Sequence, residues 1–290
     1  MAWLEGGGIM STLTDEQREF FVENGYLVLP AVFHEEEVRR MREEADAILA
    51  LIINSSLANG RKSGRLDICR SAAGEQMVRK IQPINDLSLV LAQASADERF
   101  IGPMHAVMGD EPVLMEEKLN YKEPLPEAVT GIEVKTTTDA FPVHSDWAYY
   151  KAQNYPQNII SSAICLDACT PESGPIRVWP GSHKEHLEHE RIEVGLQVLP
   201  HLIDFNGGMD VLAPAGSVLL FHALLIHNSR PNISGKPRRL MIYSHFPAQA
   251  KMGFDVRNGP TRLRESAYEW AYQRMKDRGE FRDQFRAPVF

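Results

Sequence analysis

The feature that most constrains the fold is a series of short β-rich runs in this 290-residue chain. Many short strands joined by Pro- and Gly-containing turns indicate antiparallel sheets rather than a parallel α/β sheet. We expect strands at Tyr26–Leu29, Val113–Tyr121, Ile132–Thr137, Asn158–Leu166, Ile176–Trp179, Ser217–Ile226 and Leu240–Phe246. The pattern predicts a mainly β fold with flanking helices, namely a double-stranded β-helix of the jelly-roll, cupin-like type.

The expected domain organisation follows from these runs. Residues 1–12 contain a glycine triplet and are expected to form a flexible tail, whereas residues 13–290 form a single domain. That domain would comprise a helical N-terminal part (13–110), a jelly-roll core (about 111–247) and a C-terminal helical segment (260–286).

Two helices are predicted near the N-terminus. Thr14 and Gln17 have the spacing of a capping box, and the helix they open should end near Asn24–Gly25. His34–Leu51 has apolar residues at helical spacing and predicts a second, amphipathic helix. The polar, basic stretch Asn54–Lys80 is expected to be irregular, as lids and binding loops often are.

His144 and Asp146 stand two positions apart in the run Phe141–Tyr150. Side chains two positions apart on a strand point to the same face, whereas on a helix they diverge by about 200°. An imidazole and a carboxylate on one face can bind one ion. We therefore predict a metal site, with a third ligand, His227, on a strand that the fold brings alongside.

Two imidazoles and one carboxylate leave the far side of the ion open. Non-haem Fe(II) oxygenases use this arrangement to bind a cosubstrate and O₂. The three cysteines, Cys69, Cys165 and Cys169, fit no zinc or redox spacing and are interpreted as small core residues. The pattern favours an oxidative iron enzyme over an iron–sulfur or structural zinc protein.

The strand-like run after His227 contains two adjacent arginines. If the run is a strand, Arg238 shares a mostly apolar face with Leu240 and Ile242, whereas Arg239 lies on the other face. A guanidinium that points into the core needs an anionic partner, because an unpaired buried charge is very unfavourable. The distal carboxylate of 2-oxoglutarate would be such a partner, bound bidentately. Register alone selects Arg238 over Arg239, and an exposed arginine pair is the alternative.

Several motifs in order resemble the phytanoyl-CoA dioxygenase family of Fe(II)/2-oxoglutarate oxygenases. The resemblance runs from Leu13 to about Phe246 and is nearest in style to ectoine hydroxylase. The motifs that carry it are Lys118–Lys122, His144–Trp147, Ser173–Lys184, Gly216–Phe221 and the segment from His227 onwards.

The resemblance implies a role for each matching residue. The iron ligands would be His144, Asp146 and His227. The 2-oxoglutarate site would contain Arg238, Ser229, Asn120 and Lys122, although Asn120 could equally be a strand residue bonded to a turn. Ser182 and His183 match the family pattern as structural residues. Some of Trp147, Tyr149 and Tyr150 would line the substrate pocket, with aromatic core packing as the alternative.

The implied reaction is hydroxylation of a small molecule, with O₂ and 2-oxoglutarate consumed and succinate and CO₂ released. Related halogenases carry Gly or Ala at the carboxylate position, so Asp146 argues against halogenation. A second hypothesis is a non-redox metal-binding jelly roll, either a cupin-like isomerase or a 2-oxoglutarate sensor. A further idea is that the basic stretch Arg61–Lys80 receives an anionic substrate, with a solvated loop as its alternative.

Two other histidine groups are alternatives to the predicted triad. His183, His186 and His189 recur every three residues, but among so many charged residues a solvated segment is the preferred interpretation. His222 lies at an odd spacing from His227, which places the two on opposite faces of a strand.

Composition excludes some classes of partner. The formal net charge of −8 argues against the basic surface that nucleic acids require, and against an anionic membrane surface. The chain has no run of roughly 18 apolar residues and no signal-type leader, so a cytoplasmic location is expected. A small-molecule substrate is the expected partner, and the oligomeric state is left open.

Overall fold

The structure is a computed structural model that describes residues 13–70, 74–125, 132, 134, 138–252 and 260–287, with side chains in the last range described from residue 266. The tail predicted for residues 1–12 and most of the strand predicted at Ile132–Thr137 lie outside the described residues. Among the described residues, no helix combines the length and the apolar character that a membrane span requires.

Helices pack against one side of the sheets. The first helix begins and ends as the sequence predicts. The Thr14 hydroxyl accepts a hydrogen bond from the Gln17 amide (3.2 Å), and the Gln17 side chain accepts one from the Thr14 amide (3.0 Å). Gly25 ends this helix with φ +80°. The helices are α1 (Asp15–Asn24), α2 (Glu35–Ala58), α3 (Leu89–Ala94), α4 (Glu98–Met108), α5 (Trp147–Tyr150) and α6 (Pro260–Asp277).

The strands form antiparallel sheets. They are β1 (Tyr26–Leu29), β2 (Leu66–Arg70), β3 (Gln76–Ile81), β4 (Pro112–Pro124), β5 (Phe141–His144), β6 (Ile160–Cys165), β7 (Ile176–Val178), β8 (His189–Ile192), β9 (Gly195–Val198), β10 (Met209–Asp210), β11 (Val218–His222), β12 (His227–Ser229) and β13 (Leu240–Pro247). The larger sheet has the order β1-β11-β6-β13-β4-β3-β2, the smaller has β10-β7-β12-β5, and β8 pairs with β9 as a hairpin.

Two apolar layers hold these sheets in place. One lies between the sheets and contains Ile176 and Val178 of β7 together with Phe221 of β11. The other lies on the outer face of the larger sheet, where α2 and α4 contribute Leu49 and Phe100. Helices, larger sheet and smaller sheet therefore form three successive layers, and the space between the two sheets is available for a site.

Strand β13 follows the register that the sequence predicts. Leu240 and Ile242 lie in the layer between the sheets, whereas Met241 and Tyr243 lie in the layer beneath the helices. Both faces of β13 are buried because this strand is central in the larger sheet.

The stretch Asn54–Lys80 is not irregular, and the expectation of a loop there was wrong. It contains the end of α2 and the strands β2 and β3, which extend the larger sheet at one edge. Two strands therefore interrupt the N-terminal part that was expected to be helical. The sequence concealed β3 because its adjacent Arg79 and Lys80 face a polar cavity, so the usual apolar alternation is lost.

Other boundaries also differ from expectation. The predicted strand Ser217–Ile226 ends at His222, and a turn separates it from β12. The C-terminal helix ends at Asp277, and residues 281–287 have no regular structure.

One carboxyl group in the described part of the chain is buried without a hydrogen bond. Glu123 of β4 has both carboxylate oxygens buried without a partner in the described part of the chain. Burial raises the pKa of Glu123 to about 8; nearby Arg239 opposes this rise, whereas Asp46 and Asp167 add to it. The group is therefore largely protonated at neutral pH.

Candidate metal centre

Three potential ligand atoms converge between the sheets. One atom each from His144, Asp146 and His227 lies within 4.8 Å of the others, and all three residues are buried. The Asp146 Oδ1 atom is 3.7 Å from His144 Nε2 and 3.8 Å from His227 Nε2. His144 at the end of β5 pairs directly with His227 at the start of β12, so strand pairing brings together residues that are distant in sequence.

The backbone fixes the orientation of both imidazoles. His144 Nδ1 lies 2.7 Å from the Pro142 carbonyl oxygen, and His227 Nδ1 lies 3.0 Å from that of Leu225. A carbonyl only accepts, so each Nδ1 carries the proton and donates it, which leaves the lone pair on Nε2. Both lone pairs are therefore available to a metal ion on the side of Asp146.

Asp146 reaches the site by a route that differs from the predicted one. The alternation argument placed it on the same strand as His144, but β5 ends at His144 and Asp146 has helical dihedral angles (φ −61°, ψ −36°) as the cap of α5. The turn, rather than the pleat of a strand, brings its carboxylate beside the imidazoles.

The surroundings of the site favour an ionised Asp146 carboxylate and a neutral His227 imidazole. Burial alone would raise the pKa of Asp146, but Lys118 and the two histidines lower it below its usual range. Burial, together with the nearby His144, lowers the pKa of His227 to about 4. These are the protonation states that metal binding requires.

The two adjacent arginines have different environments, although both are buried (1% and 3% exposed). Arg238 lines the cavity beside the triad and donates one hydrogen bond to the Gly174 carbonyl (2.8 Å). Its Nε and Nη1 have no hydrogen-bond partner among the described residues. Arg239 instead pairs with Asp167 (2.9 Å) and Asp46 (2.5 Å). The cavity beside the triad thus contains a guanidinium that forms no ion pair with the carboxylates of the described residues.

Gly174 is required for this arrangement. Its φ of +65° is unfavourable for other residues, and a Cβ atom there would lie 2.4 Å from the Arg230 carbonyl oxygen. The glycine lets its own carbonyl approach Arg238.

Two other predicted cosubstrate residues line the same cavity, and one does not. Ser229 and Asn120 contribute to its wall, and Asn120 Oδ1 has no hydrogen-bond partner in the described chain. Lys122 is fully buried elsewhere: it donates to the Arg230 carbonyl and lies 3.8 Å from Asp139. The structure therefore does not bring Lys122 together with the other predicted residues.

A second cavity of about 250 Å³ meets the first at the triad. Tyr149 and Tyr150 line it, whereas the Trp147 side chain packs in an apolar cluster and donates to the Tyr155 carbonyl (3.3 Å). Two of the three aromatic residues proposed for a substrate pocket therefore lie where a substrate could contact them. The residues that line both cavities are Lys80, Lys118, Phe141, His144 and Asp146.

Three cations line this second cavity: Arg79 and Lys80 fall in the basic stretch that the sequence offered as a site for an anionic substrate, whereas Lys118 was not recognised as a site residue. Lys118 lies 3.1 Å from Glu116, and Glu116, Lys118 and Asn120 alternate along β4. A strand whose polar residues recur at every second position indicates a polar inner face, and this signal could have identified Lys118.

His189 is another residue whose place the sequence did not reveal. Its Nδ1 donates to the Leu187 carbonyl (2.7 Å), and its Nε2 accepts a hydrogen bond from the Ser145 amide (3.0 Å). Ser145 separates two of the triad residues. His189 thus fixes the backbone between them, whereas the sequence interpretation placed it in a solvated surface segment.

Ser182 and His183 have structural roles, as predicted. The Ser182 hydroxyl accepts from the Ile226 amide (2.9 Å), directly before His227, and donates to the Trp179 carbonyl (2.7 Å). The ring of His183 lies 5.5 Å from that of His222. Among the described residues, the triad is the metal-compatible cluster, and neither of these histidines belongs to it.

Comparison with known proteins agrees with this geometry. The family model described as phytanoyl-CoA dioxygenase (PhyH) matches residues 21–240. The ectoine dioxygenase of Halomonas elongata is 28% identical over 244 residues, covering 78% of this chain and 68% of that protein. The methylphosphonate hydroxylase of Gimesia maris is 26% identical over 246 residues, covering 81% of each.

A solved structure shares the fold. EctD from S. alaskensis, crystallised with 2-oxoglutarate and 5-hydroxyectoine, superposes with a TM-score of 0.61 at 23% identity and covers 82% of this chain and 77% of that one. The predicted jelly roll and the predicted enzyme class are confirmed. The chain belongs to the phytanoyl-CoA dioxygenase family of Fe(II)/2-oxoglutarate-dependent oxygenases.

Proposed function

We propose that this enzyme hydroxylates a small-molecule substrate and converts 2-oxoglutarate and O₂ into succinate and CO₂. One observation carries the proposal: the triad lines the same cavity as the buried Arg238 guanidinium, two of whose nitrogens have no partner in the described part of the chain. A buried cation without a counter-charge is unfavourable, so the site is complementary to an anion that binds beside the metal.

The residues of the first cavity fit a keto acid with two carboxylates. Arg238 would hold the distal carboxylate through Nε and Nη1, and Ser229 would add a hydroxyl donor. Asn120 and Lys80 would provide further polar contacts in the same cavity. The apolar part of the wall, which would contact the methylene groups, consists of Ile176, Phe221 and Ile242.

The donor set of the triad fits ferrous iron. Two imidazoles and one carboxylate would hold the ion, and the two cavities beside them would give a cosubstrate and a substrate access to it. Iron bound there supplies the oxidising power, whereas the protein orients the reactants and limits water. All three ligand residues are buried, which supports a site that limits the access of water.

The second cavity favours an enzyme over a sensor that binds 2-oxoglutarate without turnover. A sensor needs one cavity for its ligand, but here a separate space of about 250 Å³ opens directly onto the triad. This space is where we place the substrate, in contact with Tyr149 and Tyr150.

Succinate formation tests the proposal. Purified protein supplied with Fe(II), 2-oxoglutarate and O₂ should release succinate slowly without substrate, and this release should cease when iron or 2-oxoglutarate is omitted. His144→Ala should abolish it, whereas the exposed His201→Ala is the matched control and should leave it unchanged. Binding of 2-oxoglutarate without O₂ consumption would instead identify a sensor, and full activity in His144→Ala would refute the assigned site.

A further inference from the structure

A β-bulge turns two adjacent cations into the second cavity. In the β2–β3 pair, Asp67 is opposite Lys80 and Ile68 is opposite Val78, so Arg79 is an extra residue in the ladder. Successive strand residues normally point to opposite faces, but a bulge locally reorients them. Arg79 and Lys80 consequently both line the cavity, and bulges of this kind are frequent beside active sites.

The Arg79 side chain is held in place before any substrate binds. Its guanidinium carbon lies 4.0 Å from the centre of the Phe141 ring, and Nη2 donates to the Ala140 carbonyl (2.9 Å). Nη1 makes only a long contact with the partly exposed Asp67 (3.4 Å). Nε is buried and has no partner in the described chain. Arg79 thus has donor capacity that the described residues do not use.

Apart from Asp146, which is assigned to the metal ion, positive charge exceeds negative charge on the wall of this cavity. The Lys118 ammonium is 3.1 Å from Glu116, and Tyr150 donates its hydroxyl to the other Glu116 oxygen (3.0 Å), so this carboxylate already has partners. Asp67 faces Arg79 from β2, which leaves the charge of Lys80 as the excess. The cavity therefore favours an anionic group over a cationic one.

The space available is small. The cavity of about 250 Å³ is below the range of roughly 300–1,000 Å³ that drug-sized ligands occupy. Val194 and Gly195, at the turn of the β8–β9 hairpin, form part of its wall. The neighbouring Leu196 amide donates to the Tyr149 hydroxyl (2.8 Å), which joins the hairpin to the cavity lining. A long acyl chain would extend beyond such a space, whereas a compact molecule would fit within it.

We infer that the substrate is a compact oxyanion, a carboxylate or phosphonate, whose charged group binds at Arg79, with Lys80 between this group and the cosubstrate. Arg79 lines the second cavity but not the first, so it selects the substrate without contacting 2-oxoglutarate. The inference rests on the proposed function and extends it to a class of substrate.

The test uses the anaerobic Fe(II)·2-oxoglutarate complex, whose visible absorption band changes when a substrate approaches the iron. The probes are small carboxylates and phosphonates, with uncharged amides and esters of the same carbon skeletons as matched compounds. At least some anions should shift the band of the unmodified enzyme, and their uncharged counterparts should not. An equal response to charged and uncharged members, or a response to uncharged ones alone, would overturn the inference.

Variants at Arg79 assign the selectivity to this residue. Arg79→Gln should raise the Kd of the anionic probes roughly 10- to 100-fold, as expected for loss of a charge-assisted contact, while the affinity for 2-oxoglutarate stays within about twofold. Arg79→Lys keeps the positive charge but not the planar guanidinium, so its Kd for the anionic probes should lie between those of the unmodified enzyme and Arg79→Gln. The exposed Arg70→Gln is the matched control and should match the unmodified enzyme. Unchanged probe affinity in a folded Arg79→Gln variant would overturn the inference.

The measurements distinguish a failure of the proposed function from a failure of the inferred substrate class. If no band forms with Fe(II) and 2-oxoglutarate, and no succinate appears in air, the proposed function itself is wrong. If the band and succinate form but no anion shifts the band, only the substrate class is wrong.

Discussion

Exchanging each of the two adjacent arginines for methionine should separate cosubstrate binding from stability. Arg238→Met should greatly weaken binding of 2-oxoglutarate and leave the fold intact, because two guanidinium nitrogens have no partner among the residues that the structure describes. Arg239→Met should have the opposite pattern, because its guanidinium compensates Asp46 and Asp167 and does not line the cavity. The two positions share sequence context, size and burial, so each is a control for the other.

The magnitudes follow from the contacts. Two charge-assisted hydrogen bonds to a carboxylate, at about 1.5–2 kcal/mol each, give about 3–4 kcal/mol, or roughly a 100- to 1,000-fold increase in Kd for Arg238→Met. Its free energy of unfolding without ligand should change by only about 1 kcal/mol, because removal of an uncompensated buried charge offsets the lost bond to Gly174. Arg239→Met leaves two carboxylates that are 28% and 16% exposed. Because water can reach them, the substitution should lower the free energy of unfolding by about 2–3 kcal/mol, which is less than the loss for breaking a fully buried ion pair.

Anaerobic titration of the Fe(II) enzyme with 2-oxoglutarate, followed by the visible absorption band, gives Kd for each variant. Urea unfolding of the metal-free protein gives the stability. The reasoning is refuted if Arg239→Met weakens 2-oxoglutarate as much as Arg238→Met does, or if Arg238→Met retains the original Kd.

Three further outcomes are expected. Glu123 has a folded-state pKa raised to about 8, so its contribution to stability is fully present below about pH 4.5 and is lost as the pH rises through 8, by up to about 1.4 kcal/mol per pH unit. The free energy of unfolding, measured between pH 5 and 8, should therefore decline less in Glu123→Gln than in the unmodified protein. Identical pH profiles for the two proteins would contradict this. His189→Ala removes the acceptor for the Ser145 amide and should weaken metal binding roughly 10-fold or more. His189→Gln should recover part of the metal affinity. Equal metal affinity in both variants and the unmodified protein would show that this hydrogen bond is dispensable. Adding a divalent metal at about 100 times its Kd should stabilise the protein by about 2.7 kcal/mol in thermal unfolding, and the same addition should not stabilise His227→Ala.

Much of the site was accessible from residue chemistry. The His–Asp–His set and Arg238 come together around one cavity, and the alternation predicted for the run that leads into β13 separated the surroundings of Arg238 from those of Arg239. These inferences needed only local periodicity and the preferences of metal ions for particular donors.

Other features depended on contacts between distant segments. The alternation rule failed at Asp146, which reaches the triad through a turn, and at Arg79, where a bulge places consecutive residues on one face. A bulge is set by the pairing of two strands, so one strand's sequence does not reveal it. His189 acts through a hydrogen bond to a residue 44 positions away, which no local pattern encodes.

The sequence alone determined the helix caps, most strands of the jelly roll and the chemical identity of the metal-binding groups, because these depend on neighbouring residues and on ligand preference. Only the tertiary structure decided which polar side chains share a cavity, which arginine lacks a counter-charge and where a substrate has room. Those properties depend on strand pairing and burial, and burial decides whether a charge is solvated, paired or available for a ligand.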